Sequence, residues 1–231
     1  MEWVCDAVLF DMDGVLVDST ACVERHWRQW AAEHGLDAQA ILAIAHGQRT
    51  VETIRAVAPH LDADEEAAQL EARASIDTEG VVSIQGAARL VRNLPPDAWA
   101  IGTSAPPLMA TTRLQHTGVL TPTVLITAED VGQGKPHPQV YLEAAARLHV
   151  APARCIVIED APAGIEAARA AGMRVLAVAT THEPAALQDA DAVVMQLLDL
   201  EITPTTDHHD GRLVVRILLG EHEARQAAYN R

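Results

Sequence analysis

Six short apolar runs, at 7–10, 99–102, 124–126, 155–158, 175–178 and 192–195, recur along the chain and constrain its fold more than any other feature. They are rich in β-branched and aliphatic residues without an alternating polar face, which is how strands covered on both sides of a parallel sheet read. Amphipathic helical stretches lie between most of them, for example 138–148 and 162–171, the latter with Pro162 in its first turn and Gly172 as its stop. Strands and helices in alternation predict an α/β protein built on a doubly wound, Rossmann-like parallel sheet.

One interval breaks the alternation. From about residue 20 to 85 no strand is predicted, but helices are, at 20–34, 49–57 and 65–77, the first carrying Val23, Trp27, Trp30, Ala31 and His34 on one face. An insertion of this size after the first strand predicts a small helical domain over 20–82, with hinges near 18–20 and 82–86, set into a core formed by 1–19 and 83–206. The tryptophan stripe reads as the core of that small domain. Residues 207–231 are expected to be a C-terminal extension, in which the polar turn 207–211 beside apolar runs suggests a hairpin. The His208-His209 pair at its tip is two ligands without a third, a solvated turn more than a metal site.

Charge then limits the partners. Seventeen Lys and Arg against 32 Asp and Glu give a formal net charge of −15, the wrong sign for neutralising nucleic-acid phosphates or docking on anionic lipid. Aromatic residues are only 3% of the chain, with a single Phe, so a base-stacking platform is not expected either. The N-terminus has no basic segment, and the apolar stretch 7–10 is too short for a signal core or a membrane span, so a cytoplasmic protein is expected. The sequence does not fix an oligomeric state, and a monomer is compatible with it. Cys5, Cys22 and Cys155 are too far apart for a zinc pair and are expected to be buried small hydrophobes.

Four groups of residues follow predicted strands. Asp11 and Asp13 come directly after the first, with Gly14 permitting a sharp turn that can aim both carboxylates into one cleft; the same residues also suit a solvated Asp-Gly turn. Gly102-Thr103-Ser104 precedes Pro106-Pro107 and could turn hydroxyls and free N–H groups toward a phosphate, or be an ordinary helix cap. Lys135 stands alone in the rigid stretch Gly132 to Pro138, where it is either a presented ammonium or a solvated surface charge. Glu159-Asp160 follows the 155–158 strand, and carboxylates converging there would repel unless they shared a cation; a hard oxygen set of this kind suits Mg²⁺. The pair could equally complement a helix dipole.

All four lie at strand ends on one side of one sheet, and in this order they resemble the haloacid dehalogenase superfamily of phosphotransferases. The superfamily's DxDG(T/V), Ser/Thr, Lys and acidic-pair motifs stand here as Asp11/Asp13, Thr103, Lys135 and Glu159/Asp160, and the helical insert is similar to a C1-type cap. The stretches His46 to Thr50, Ile126 to Val131 with Gly134 to Pro138, and Glu159 to Gly164 resemble the glycerol-phosphate, 2-deoxyglucose-6-phosphate and sugar or hexitol phosphatases. Val15 for the commoner Thr, and Ser104-Ala105-Pro106 for Ser-Gly, depart from the pattern and leave the substrate open.

The resemblance implies a Mg²⁺-dependent phosphatase acting on small phosphorylated sugars or polyols. Asp11 would be the nucleophile that forms an aspartyl-phosphate, and Asp13 the acid and base. Thr103, Ser104 and Lys135 would bind the phosphoryl group, while the Asp11 carboxylate, the Asp13 carbonyl and Asp160 would hold the metal, with Glu159 direct or through water. His46 and Arg49 would contact the substrate from the cap. A β-phosphoglucomutase-like phosphohexomutase, which transfers the phosphoryl group to a second hydroxyl, is the alternative.

Overall fold

The structure, a computed structural model, describes residues 1–205 and 212–218. Its strands are β1 (Glu2–Cys5), β2 (Ala7–Phe10), β3 (Val17–Asp18), β4 (Val82–Ser83), β5 (Trp99–Gly102), β6 (Val124–Ile126), β7 (Cys155–Glu159), β8 (Arg174–Val178), β9 (Ala192–Val194), β10 (Leu200–Pro204) and β11 (Leu213–Ile217). The helices are α1 (Thr20–His34), α2 (Ala38–Ala45), α3 (Thr50–Val57), α4 (Ala63–Ala74), α5 (Ala87–Arg92), α6 (Pro107–Thr117), α7 (Gln139–Arg147) and α8 (Pro162–Ala170).

The six predicted apolar runs form one parallel sheet in the order β6-β5-β2-β7-β8-β9. The chain steps outward from β2 through β5 and β6, then returns to β7 beside β2 and steps outward the other way. The C-terminal end of β2 is therefore the topological switch point, where open α/β sheets bind ligands. The alternation of side chains along each strand divides the core in two. Val8 and Phe10 join Ile101, Ile156 and Ile158 under α5 and α6, whereas Ala7 and Leu9 join Ala100, Val157 and Val175 under α7 and α8. Continuous apolar runs are what a sheet with both faces covered requires.

Helices α1 to α4 leave this sheet and return to it through β3 and β4, which pair antiparallel. They have their own apolar cluster, in which Trp27 and Trp30 meet edge to face at 5.5 Å between ring centroids and Trp30 Nε1 donates to Glu66 Oε2 at 2.8 Å. The short α2, which the sequence pattern does not announce, adds Ile41, Leu42 and Ala45 to that cluster.

Strands β10 and β11 pair antiparallel from Leu200↔Ile217 to Pro204↔Leu213, so the first of them lies before residue 207, in the segment expected to belong to the core, while the polar turn at 207–211 lies outside the described residues. Strand β11 also pairs with β1, and Leu200, Ile202, Leu213, Val215 and Ile217 belong to the same apolar cluster as Phe10 and Ile101. These strands are thus continuous with the main core. His208 and His209 lie outside the described residues. Cys5, Cys22 and Cys155 are all free and buried, and among the described residues no helix is long and apolar enough to cross a membrane.

Candidate active site

The site begins where β2 ends. Asp11 extends the sheet by one bond, its N–H donating to Ile158 O at 2.9 Å, and the chain then turns back on itself as Leu16 and Val17 N–H donate to Met12 O at 2.8 and 2.9 Å. Gly14 makes the turn at φ 85°, and a β-carbon there would run into Asp160 Oδ2, so two requirements coincide on this glycine. The turn leaves Asp11 buried, 3% exposed, and Asp13 facing a cavity between the sheet and the helical insert. Asp13 Oδ1 accepts from Ser19 Oγ and from Arg113 Nη1, both at 2.7 Å.

Lys135 reaches in from the loop after β6. Its Nζ donates to Asp11 Oδ1 at 2.7 Å and to Glu159 Oε1 at 2.6 Å, with the residue 1% exposed and the ammonium 5.0 Å from the Tyr141 ring centroid. Tyr141 donates its hydroxyl to the same Glu159 oxygen at 2.7 Å, and Glu159 Oε2 accepts the Asp160 and Ala161 N–H groups at 2.9 and 3.1 Å. Gly164 gives this carboxylate its room, since a β-carbon there would run into Oε1. Glu159 therefore has both oxygens occupied in holding Lys135 and the start of α8, where the sequence suggests a neighbour of the metal.

Three buried carboxyls, Asp11, Glu159 and Asp160, share one ammonium. Burial alone would push Glu159 up, but the Lys135 charge and its hydrogen bonds hold it below the ordinary carboxylate value. Asp11 is pushed up to about 7, by burial first, against the pull of Lys135. Burial, then Glu159 and Asp11, also push Asp160 well above the ordinary carboxylate value. Asp160 Oδ2 accepts from Thr181, whereas Oδ1 is buried with no partner. Oxygens of Asp11, Glu159 and Asp160 lie within 4.8 Å of one another, and a buried orphan carboxylate oxygen in an excess of negative charge is what a hard cation would satisfy. A second group, Cys22, His26 and Asp77, is also close, but its Asp77 oxygen already takes Arg25 at 2.6 Å and His26 at 2.9 Å.

Thr103, after β5, is 3% exposed and lines the cavity; its Oγ1 accepts from Ala105 N–H at 3.1 Å, which leaves the hydroxyl proton to donate. Ser104 Oγ is directed to Gly47 O of the insert at 2.8 Å, tying the two parts together at the cavity edge. His46 lines the cavity and stacks edge-on against His182 at 6.0 Å; burial, then His182, lower its pKa. Arg49 does not line the cavity. Its Nη2 donates to Glu52 Oε1 at 2.8 Å and to Gly132 O at 3.2 Å, its Nη1 lies 3.4 and 3.3 Å from Ala128 O and Val131 O, and Glu52 in turn accepts Gly134 N–H at 3.2 Å. The arginine grips the loop that carries Lys135.

Arg113, Tyr141, Ser19 and Thr181 are site residues that the sequence does not single out. Arg113 and Tyr141 sit among apolar positions of α6 and α7, and a buried cation or phenol inside an amphipathic helix is the only local hint they offer.

Residues 5–172 match the family model of haloacid dehalogenase-like hydrolases. Hexitol phosphatase A of Escherichia coli (strain K12) is 39% identical over 204 residues, 86% of this chain and 94% of that protein. Glycerol-1-phosphate phosphohydrolase 2 of Saccharomyces cerevisiae is 35% identical over 190 residues, 77% of this chain and 76% of that protein. The crystal structure of a β-phosphoglucomutase from Clostridium difficile superposes with a TM-score of 0.71 at 23% identity, over 85% of this chain and 93% of that one, a likeness of fold. With its acidic pair, lysine and second acidic pair gathered at the switch point of a doubly wound sheet, and a family match over most of its length, the chain belongs to the haloacid dehalogenase-like hydrolases.

Proposed function

We propose that the protein is a Mg²⁺-dependent phosphatase that hydrolyses small phosphorylated sugars or polyols, with residues 20–82 as its cap. The observation that carries the reading is the Asp11 carboxylate, which lines the cavity: Lys135 holds one oxygen at 2.7 Å, and among the described residues no hydrogen bond occupies the other. In the first step that free oxygen attacks phosphorus, the bond to the leaving oxygen breaks, and Asp13 gives that oxygen a proton. In the second, Asp13 takes a proton from water, the water oxygen attacks the aspartyl-phosphate, and the bond to Asp11 breaks to release inorganic phosphate. Ser19 and Arg113 both hold Oδ1 of Asp13, so Oδ2 carries the proton.

Thr103 and Lys135 donate to the phosphoryl oxygens as charge spreads over them, and Ser104 keeps the cap edge in place beside them. The Asp11 carboxylate, the Asp13 carbonyl and Asp160 would hold Mg²⁺, which when bound lets the anionic nucleophile and an anionic phosphate approach each other. Glu159 is read as the anchor of Lys135, not as a ligand. Three unpaired cysteines and the acidic composition suit a cytoplasmic enzyme.

The test is phosphate release from a panel of hexitol, hexose and glycerol monophosphates without any bisphosphate activator, with Asp11→Asn as the matched blank. Release by the native enzyme and none by the variant is expected. Turnover that begins only when a bisphosphate is added would replace this reading with the phosphohexomutase alternative.

A further inference from the structure

We infer that Glu71, on the cap side of the cavity, makes the site accept leaving groups that are neutral and hydroxylated and refuse those that carry a second anion. The inference rests on the phosphatase reading above and narrows its substrate class. Glu71 lies on α4 between Leu70 and Ala74, all of them lining the cavity together with Thr50 of α3. It is half-buried, and the Thr50 hydroxyl is beside it.

Its lack of an ion pair sets it apart. The other partly buried acids of the cap are matched: Glu24 with Arg28 at 2.9 Å, Glu52 with Arg49 at 2.8 Å, and Glu66 with Trp30 and His34 on its helices, and Asp77, after α4, with Arg25 and His26. Among the described residues Glu71 has no ion pair of its own. Burial, the first influence on it, pushes its carboxyl up, while the Thr50 hydroxyl and, less strongly, the Arg49 charge pull it down.

Among the described residues the cavity lining offers a second anion no free Lys or Arg on that side. Arg113, the single Lys or Arg among the lining residues, is committed to Asp13, and Lys135 lies beneath Asp11. Arg49, the cap's cation nearest in sequence to the cavity loop, is directed to Glu52 and the core loop. A phosphate or carboxylate on the leaving group would thus meet a carboxylate that no ion pair neutralises, while an alcohol hydroxyl would find acceptors in the Glu71 carboxylate and in the Thr50 oxygen. The same residue works against mutase chemistry, which must hold a bisphosphate with its second phosphate turned away from Asp11.

The experiment compares kcat/KM of the native enzyme, Glu71→Gln and Glu71→Lys on glycerol 1-phosphate, a hexitol phosphate, fructose 1,6-bisphosphate and phosphoglycolate, each divided by the value for p-nitrophenyl phosphate with the same enzyme. The native enzyme is expected to favour the two neutral alcohols by about a hundredfold. Glu71→Gln, which keeps the shape and removes the charge, should narrow that preference by about tenfold, and Glu71→Lys should narrow it further or reverse it. Equal use of neutral and anionic substrates by the native enzyme, or the same preference in all three proteins, would overturn the inference and leave the phosphatase reading standing. Turnover of p-nitrophenyl phosphate with none of the neutral monophosphates would overturn both.

Discussion

Lys135→Met keeps most of the side-chain length and removes its charge. In the native protein the ammonium lies 2.7 Å from Asp11 and 2.6 Å from Glu159, on a residue that is 1% exposed. Deleting it strands three buried carboxyls without a counter-charge, and removing one partner of a buried pair costs about 3–5 kcal/mol. For a chain of this size each kcal/mol moves the melting temperature by roughly 2–4 °C, so the metal-free variant should melt about 6–20 °C below the native protein. The deficit should also depend on pH. Natively Glu159 is held below its ordinary value by Lys135 against burial. Without the lysine, burial raises it above the unfolded value, the folded state binds more protons than the unfolded chain, and stability falls as pH rises. The gap between variant and native protein should therefore be small near about pH 5 and wide near about pH 8. Calorimetric melting in chelator across that range measures it. Adding Glu159→Gln removes one stranded charge and should recover about half of the loss without restoring turnover. A gap that does not change with pH, or a double variant no more stable than Lys135→Met alone, would refute the argument.

In chelator the native protein should itself lose stability as pH rises through about 7, because Asp11, pushed up to about 7, and Asp160, also pushed up, hold protons in the fold that the unfolded chain has already released. Mg²⁺ should then raise the melting temperature more at about pH 8 than at about pH 6, and an equal rise at both would remove Asp11 from the cation site. Arg49→Ala should lower kcat/KM for aryl and polyol phosphates together, about five- to a hundredfold, since roughly 1–3 kcal/mol of contact between the cap and the Lys135 loop is lost. A loss confined to polyol phosphates would return Arg49 to the role of substrate contact that its sequence suggests.

What the sequence by itself determined is what local rules can carry. An apolar run without a polar face must be covered on both sides, so the six strands of the parallel sheet were legible, and with them the strand ends that put Asp11, Thr103, Lys135 and Glu159-Asp160 on one side. Gly14 announced its turn because only glycine takes φ 85° without strain, and the missing strands between residues 20 and 82 announced the helical insert. Tertiary structure alone decided the partners, because a side chain's direction is set by neighbours remote in sequence. Strand β1 forms against β11, more than 200 residues away in the chain, and no pattern in four residues reveals that. Arg113 meets Asp13 from 100 residues away. Glu159 and Asp160 are adjacent carboxylates with the same local signal, yet Lys135, Tyr141 and two backbone amides occupy the first, while a buried oxygen of the second has no partner. Arg49 follows the same rule: its position in a recognisable stretch suggested a substrate contact, and the carbonyls of the loop at 128–132, brought beside it only by the seating of the insert on the sheet, took its guanidinium instead.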